Sequence, residues 1–186
     1  MFERVLLAGF GGQGILSAGQ LLAYAGILEG KHVTWVPSYG AEMRGGTANC
    51  GVTISNRSIS SPIVSDPEAL VVMNRPSLEK FEQDVVTNGL IVVNSSLINC
   101  KVARKDVQVM YIPANKLAEE LGNNKVAVNI ILGALIFLTQ IVSLDLAIES
   151  LGKVLPPHHQ KLIALNQRAL KAGAQFFDHL TKEKAG

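Results

Sequence analysis

The sequence predicts an α/β fold, and two observations support this prediction. The apolar run Val5 to Ala8 is typical of a buried parallel strand, and a glycine cluster and a helical pattern follow it at once. Further short apolar runs recur as far as residue 112, whereas the residues beyond it show mainly helical patterns. We therefore expect one domain spanning residues 1–186, with a Rossmann-like, mostly parallel sheet flanked by helices and a helical C-terminal portion.

The glycine cluster after the first strand has the spacing G-x-G-x-x-G, formed by Gly9, Gly11 and Gly14. Glycine permits the tight turn, lets the phosphates of a ligand approach the backbone, and lets helix and strand pack closely. The following helix N-terminus offers unpaired N–H groups and a partial positive charge to an anion. A turn of this kind can also serve packing alone, so the spacing leaves both interpretations open.

The first helix is predicted over residues 13–29, with Gly30 ending it, and the second strand over residues 31–36. A dinucleotide site would place an acidic residue at the end of that second strand, to bind a ribose hydroxyl. No acid stands there, and Glu29 precedes the strand. The pattern therefore favours a turn that binds phosphate or carboxylate, and it disfavours NAD.

Residues 37–47 have neither helical nor strand periodicity and are predicted to form a loop. Ligands of open α/β sheets bind at the carboxyl edge of the strands, which is where this loop begins. Arg44 beside two glycines suits a bidentate contact with phosphate or carboxylate, and Glu42 could orient that arginine. The alternative is an ordinary surface loop.

The apolar runs in the next part of the chain predict four more strands. A polar cluster, Asn94 to Ser96, lies at the end of one of them. We expect residues 58–60 to pair back as a hairpin, and Ser77 to cap a short helix. The later helices follow from their apolar periodicity and from the flanking Ser143 and Gly122. The predicted strands are 47–55, 69–73, 90–93 and 107–112, and the later helices are 113–121, 129–140, 144–151 and 158–180.

Composition excludes several functions. The net charge is +2 without a basic cluster, which argues against nucleic-acid binding, and the most apolar run, 126–138, is too short to span a membrane. Two cysteines cannot supply the four thiolates of a usual iron–sulfur or structural zinc site, and they suit a reducing cytoplasm. The motifs contain no nucleophile–base pair, P-loop or thiamine-type motif. Such a binding scaffold without a reactive group is what a subunit of a larger enzyme would look like.

Two motifs together closely resemble the gamma subunit of 2-oxoacid:ferredoxin oxidoreductases. They are the turn at residues 9–14 and the segment at 37–46, and the similarity continues through Asn94-Ser95, residues 129–135 and residues 166–173. The form Arg44-Gly-Gly-Thr47 looks most like the 2-oxoglutarate branch, although the pyruvate, ketoisovalerate and indolepyruvate branches remain alternatives. A stand-alone nucleotide- or acyl-CoA-binding regulatory protein is the main alternative of another class.

The resemblance implies a reaction in which a 2-oxo acid, coenzyme A and oxidised ferredoxin give acyl-CoA, carbon dioxide and reduced ferredoxin. It implies a cytoplasmic hetero-oligomer with alpha, beta and ferredoxin-like delta subunits, in which the partners hold thiamine diphosphate, Mg and the iron–sulfur clusters. The isolated chain would be inactive. The phosphate- or coenzyme A-binding residues implied are Gly9, Gly11, Gly12, Gln13, Gly14, Asn94 and Ser95. The implied active-site edge or subunit interface is Ser38, Tyr39, Gly40, Glu42, Arg44, Gly45, Gly46 and Thr47.

Overall fold

A computed structural model describes residues 1–39 and 47–185, without the side chains of 39, 157–159 and 178–185. It contains a six-stranded mixed sheet flanked by helices, so the predicted α/β fold is confirmed. The strand order is β2-β3-β1-β4-β5-β6. The strands are β1 Phe2–Phe10, β2 His32–Tyr39, β3 Thr47–Ser55, β4 Ala69–Val72, β5 Leu90–Asn94 and β6 Gln108–Ile112.

Helices follow β1, β4 and β6, and further helices fill the C-terminal part, as predicted. Among the described residues, three short 3₁₀ turns, at 82–84, 124–126 and 157–162, lead into or out of these helices. The α-helices are α1 Ile15–Leu28, α2 Arg75–Phe81, α3 Ala114–Glu120, α4 Ala127–Thr139, α5 Leu144–Val154 and α6 Ile163–Ala185.

Pairing in the sheet is parallel except at β3. This strand runs antiparallel to both of its neighbours, β2 and β1, whereas β1, β4, β5 and β6 pair in parallel. Since β2 and β1 both oppose β3, they point the same way. Five strands therefore end at one edge of the sheet, and β3 begins at that edge.

Both faces of the sheet are covered by apolar side chains, as a parallel sheet requires. Alternate residues of β4 show this: Ala69 and Val71 belong to the larger core under α1, α4, α5 and α6, whereas Leu70 and Val72 belong to a smaller core that includes Leu78 of α2. The period-two alternation of strand side chains assigns them to opposite faces.

The end of β2 corrects one prediction. Residues 37–39 were expected in a loop, yet they continue β2, with Pro37 opposite Cys50 and Tyr39 opposite Ala48. Proline lacks a backbone N–H and is tolerated in edge strands, and β2 lies at the edge of this sheet. The sequence did not predict this part of the strand because proline and serine are typical of turns.

The predicted hairpin of residues 58–60 is wrong. These residues are not in a strand, because both edges of β3 are already occupied by β1 and β2. The predicted capping role of Ser77 is also wrong. Asn74 is the N-cap of α2, and its side chain accepts a hydrogen bond of 2.8 Å from the Ser77 backbone N–H.

Other predicted helix ends are confirmed or shifted by a turn. Gly30 follows α1 with φ 72°, and its N–H donates to the Ile27 carbonyl, as a terminating glycine does. Ser143 caps α5 through its hydroxyl. Helix α1 begins at residue 15 rather than 13, because Gly14 takes the left-handed conformation, and the last helix begins in a 3₁₀ turn that follows Pro156.

Candidate functional site

The Gly-rich turn and the residues on either side of segment 40–46 come together at the carboxyl edge of the sheet. In the register of the sheet, Phe10 at the end of β1 lies opposite Thr47, and Tyr39 at the end of β2 lies opposite Ala48. The residues that flank both predicted motifs are thus neighbours across β3. Ligand sites of open α/β sheets form at this edge.

Two glycines of the turn adopt conformations that disfavour other residues. Gly12 has φ 91° and Gly14 has φ 80°, both in the left-handed region. A Cβ at Gly14 would also lie 3.0 Å from Val128 Cγ1 in α4, whereas a Cβ at Gly12 would meet no atom within 4 Å. Gly14 therefore lets α4 approach the turn closely, and Gly12 leaves open space in front of the backbone.

Gln13 fastens the turn to the sheet. Its Oε1 accepts a hydrogen bond of 2.6 Å from the Phe10 N–H, and its Nε2 donates to the Met73 carbonyl at 3.4 Å. The Gly9 position would bring a Cβ within 2.7 Å of the same Oε1. The Gln13 amide thus holds β1 and the end of β4 to the turn, which is an orienting role beside the predicted binding role.

A cleft of about 170 Å³ opens beside the turn. Its lining joins three parts of the chain: the Gly-rich turn, the end of β4, and the segment from α3 to the start of α4. Lys125 is the charged side chain among the seven lining residues, and none of them is acidic. The lining residues are Gly12, Gln13, Met73, Asn115, Asn124, Lys125 and Ala127.

The electrostatics of this cleft favour an anion. Helix α1 begins just after the Gly-rich turn and α4 begins at Ala127, and neither helix has an acid in its first turn. Each helix N-terminus carries a partial positive charge. Lys125 adds a full positive charge next to the start of α4, where a cation disfavours the helix. A local arrangement that opposes stability is typical of a functional site.

Lys125 has no ion-pair partner among the described residues, and its side chain is exposed. Its neighbour Asn124 donates from Nδ2 to Glu119 at 3.2 Å, and the Asn123 side chain accepts a hydrogen bond from the Lys125 N–H. The backbone at this position is thus held in place, and the Lys125 ammonium remains available to a ligand.

The predicted pair Asn94 and Ser95 lies behind this cleft. Asn94 ends β5, is fully buried, and donates from Nδ2 to Asn115 Oδ1 at 2.8 Å. Ser95 is exposed, and its N–H donates to the Ile112 carbonyl. Asn94 therefore meets the cleft through Asn115 and does not line it.

The predicted interface segment is described only at its ends. Ser38 is exposed near the end of β2, and Thr47 is half-buried at the start of β3. The backbone of Tyr39 ends β2. The other predicted residues, Gly40, Glu42, Arg44, Gly45 and Gly46, lie outside the described residues.

Sequence reasoning missed Asn115, Asn124 and Lys125. The signal that could have found them is a short polar run, Asn123 to Lys125, between the glycine that ends α3 and the apolar helix α4. Polar residues directly before a helix are candidates for anion contact. Because many helices begin after such a run, the signal gains weight only when the fold brings it to the Gly-rich turn.

Donors for a metal or cluster are few in the described part of the chain. No group of three or more His, Cys, Asp or Glu side chains there could hold a metal ion. Cys50 is buried, and burial raises the pKa of its thiol to about 12, while Cys100 is half-buried. In the same part of the chain, no helix has the length and apolar character needed to cross a membrane.

Comparison with known proteins shows which family this chain matches. Residues 4–176 match the family described as pyruvate ferredoxin/flavodoxin oxidoreductase. The chain is 39% identical over 173 residues to the ketoisovalerate oxidoreductase subunit VorA of Methanothermobacter thermautotrophicus. That match covers 93% of this chain and 36% of VorA, so the chain spans little more than a third of that relative's length.

Two further matches cover most of this chain and most of the protein with which it is compared. The 2-oxoglutarate synthase subunit KorC of Methanocaldococcus jannaschii is 37% identical over 146 residues, which is 77% of this chain and 78% of KorC. A crystal structure of a keto/oxoacid ferredoxin oxidoreductase gamma subunit from Geobacter sulfurreducens superposes with a TM-score of 0.80 at 28% identity. That superposition covers 93% of this chain and 96% of the other.

Proposed function

This chain belongs to the pyruvate ferredoxin/flavodoxin oxidoreductase family, and we propose that it is the gamma-type subunit of a 2-oxoacid:ferredoxin oxidoreductase. The complex would convert a 2-oxo acid, coenzyme A and oxidised ferredoxin into acyl-CoA, carbon dioxide and reduced ferredoxin. The observation that carries this proposal is the family match over residues 4–176, together with a cationic cleft at the sheet edge where ligands bind.

We assign the cleft to a phosphate or diphosphate group of coenzyme A. Its volume of about 170 Å³ is below the roughly 300–1,000 Å³ of sites that enclose a drug-sized ligand, so it suits one part of the cofactor. Lys125 supplies the positive charge, Gly12 leaves room at the backbone, and Asn115 supplies a side-chain amide. The rest of coenzyme A would extend toward the partner subunits.

The redox chemistry is assigned to partner subunits. Thiamine diphosphate with Mg would supply the carbanion chemistry of decarboxylation, and iron–sulfur clusters would carry electrons to ferredoxin. Two cysteines, one of them buried with a raised pKa, do not fit a cluster that needs four thiolates. The partners are accordingly alpha, beta and ferredoxin-like delta subunits, and this chain forms part of the active-site edge around Glu42 and Arg44.

For the substrate, we propose 2-oxoglutarate, with ketoisovalerate as the competing acid. The first choice comes from the resemblance of the segment Arg44 to Thr47 to the 2-oxoglutarate branch, and it accords with the similarity to KorC. The competing choice comes from the higher identity to VorA. 2-Oxoglutarate has an unbranched side chain that ends in a second carboxylate, whereas ketoisovalerate has an apolar isopropyl side chain, so a direct substrate comparison separates them.

The test is a gentle anaerobic purification of the tagged chain from its native host. The eluate is assayed for viologen reduction with 2-oxoglutarate, ketoisovalerate, pyruvate or indolepyruvate, each with and without coenzyme A. We expect activity that co-elutes with thiamine- and iron–sulfur-bearing partners, requires coenzyme A and prefers 2-oxoglutarate.

Three results would change the proposal. Preference for ketoisovalerate would replace the substrate and keep the role. Full activity from the isolated chain would contradict a non-redox subunit. A partner-free, inactive eluate from cells that express the partners would favour the stand-alone acyl-CoA-binding protein.

A further inference from the structure

We propose that Asn94 is a positioning residue that turns the side-chain nitrogen of Asn115 toward the cleft, where it donates to a phosphate oxygen. The inference rests on the proposed function for the identity of its ligand, a phosphate or diphosphate group. It deepens that function by naming how one donor of the site is oriented. Asn94 itself contacts no ligand in this arrangement.

The orientation of Asn94 follows from the groups around it. The Ser96 backbone N–H, which can only donate, lies 3.3 Å from Asn94 Oδ1. The amide nitrogen of Asn94 therefore faces the other way, toward Asn115, at 2.8 Å from its Oδ1. Asn94 is fully buried, so water does not compete for these two hydrogen bonds.

The orientation of Asn115 follows from that of Asn94. Because Asn94 Nδ2 is a donor, Asn115 must present its Oδ1 to Asn94. The Nδ2 of Asn115 then lies on the opposite side of the Asn115 amide. Asn115 lines the cleft and is half-buried, and its Nδ2 has no hydrogen-bond partner among the described residues. The cleft thus receives an amide donor rather than a carbonyl acceptor, which suits an anion.

A second contact holds the same elements together. Ser96 Oγ accepts a hydrogen bond of 3.2 Å from the Lys116 N–H in the first turn of α3. The Ser95 N–H donates to the Ile112 carbonyl at the end of β6. The segment after β5 therefore holds the start of α3 in place through these hydrogen bonds. The Asn94 amide then determines which end of the Asn115 amide faces the cleft.

The test is an NMR titration: inorganic diphosphate or coenzyme A is added to the ¹⁵N-labelled chain, and the shifts of its signals are measured. We expect the side-chain NH₂ signal of Asn115 to shift together with the Gly12 and Lys125 backbone signals. The NH₂ signal of Asn99, which is exposed and does not line the cleft, serves as the control.

Variants then separate positioning from simple stability. Asn115→Ala should weaken diphosphate binding by about tenfold or more, the usual effect of one lost hydrogen bond to a charged group. Asn94→Ala should weaken it by a similar factor, since the Asn115 amide is then free to turn. The double variant should bind no more weakly than Asn115→Ala alone, because Asn94 acts through Asn115.

Several outcomes overturn the inference. Multiplicative losses in the double variant would show that the two residues act independently. Shifts of the Gly12 and Lys125 signals without a shift of the Asn115 signal would overturn this inference and leave the proposed function intact. Because this measurement uses the wild-type chain, it tests the inference even if Asn94→Ala does not fold. The absence of any diphosphate-induced shift would overturn both. Binding through Asn115 by a chain whose purified complex lacks 2-oxoacid oxidation would overturn only the proposed function.

Discussion

Gly173 of α6 lies so close to Ile130 of α4 that a Cβ at position 173 would overlap the Ile130 carbonyl oxygen. Gly133 meets the Leu170 carbonyl at the same crossing in the same way. The contact lets two helix backbones touch, and the buried Asn129 Nδ2 donates to Asn166 Oδ1 beside it. Since α4 also carries Val128 against the Gly-rich turn, this crossing positions one wall of the cleft.

Gly173→Ala is expected to lower the free energy of unfolding by about 1–3 kcal/mol or more, because the added methyl group forces two backbones apart. Chemical denaturation of the purified chain measures the loss. Gly152→Ala in α5 is the matched control, since a Cβ there meets no atom within 4 Å, and it should stabilise by about 0.4–1 kcal/mol. Equal effects of the two substitutions would contradict the close crossing.

Lys125→Met should raise the KM for coenzyme A of the assembled complex by about tenfold or more, because a hydrogen bond to a charged group contributes roughly 1.5–3 kcal/mol. The turnover rate at saturating coenzyme A should change much less, since the proposed contact of Lys125 is with a phosphate of the cofactor, far from the reacting carbon. Steady-state kinetics measures both values. Lys171→Met, exposed on α6, is the control and should leave them unchanged. An unaltered KM in Lys125→Met would remove the residue from the site.

Arg44→Ala should impair turnover of the complex more than the folding of the chain, because its sequence context predicts a contact with substrate or partner. Thermal melting of the isolated chain and the viologen assay of the complex are measured in parallel. Arg57→Ala, exposed just after β3, controls for the loss of a surface arginine. A melting temperature that falls in step with activity would indicate a structural role for Arg44.

The two cysteines should differ in reactivity toward iodoacetamide. Cys50 is buried, donates weakly to the Ile15 carbonyl at 3.5 Å, and has a pKa raised to about 12 by burial. At pH 8 its thiolate fraction would be on the order of 10⁻⁴, and the thiolate is the reactive form. Mass spectrometry of the folded chain should therefore find label on Cys100 and none on Cys50. Label on both thiols before denaturation would show that the core opens.

Glu3→Gln should stabilise the chain at neutral pH. Burial, and then the nearby Glu68, raise the pKa of Glu3 above its ordinary value, so the folded state favours the protonated form more than the unfolded state does. Stability is therefore lost as pH rises from the unfolded pKa through the raised folded pKa, and the substitution should remove that loss. Melting curves between pH 4 and pH 8 are the measurement. A stabilisation that is equal at all these pH values would contradict the titration of Glu3 as its cause.

Much of the fold could be predicted from local patterns. The apolar run that became β1 and the glycine that ends α1 each act over a few neighbouring residues, so their effect is visible in the sequence. The end of β2 could not be predicted, because Pro37 is acceptable in a strand only when that strand lies at an edge. The failed hairpin at residues 58–60 has the same origin, since β3 pairs on both sides with strands that precede it.

The sequence alone determined the α/β class, the Gly-rich turn and the resemblance to its family, because these depend on residue types at short, fixed spacings. Only the tertiary structure decided that Lys125 and Asn115 stand beside Gly12, and that Asn94 lies behind Asn115. These residues belong to separate parts of the chain: the turn after β1, the end of β5, helix α3 and the 3₁₀ turn before α4. Their meeting depends on strand order and on the close crossing of α4 and α6, which are properties of the packed chain as a whole.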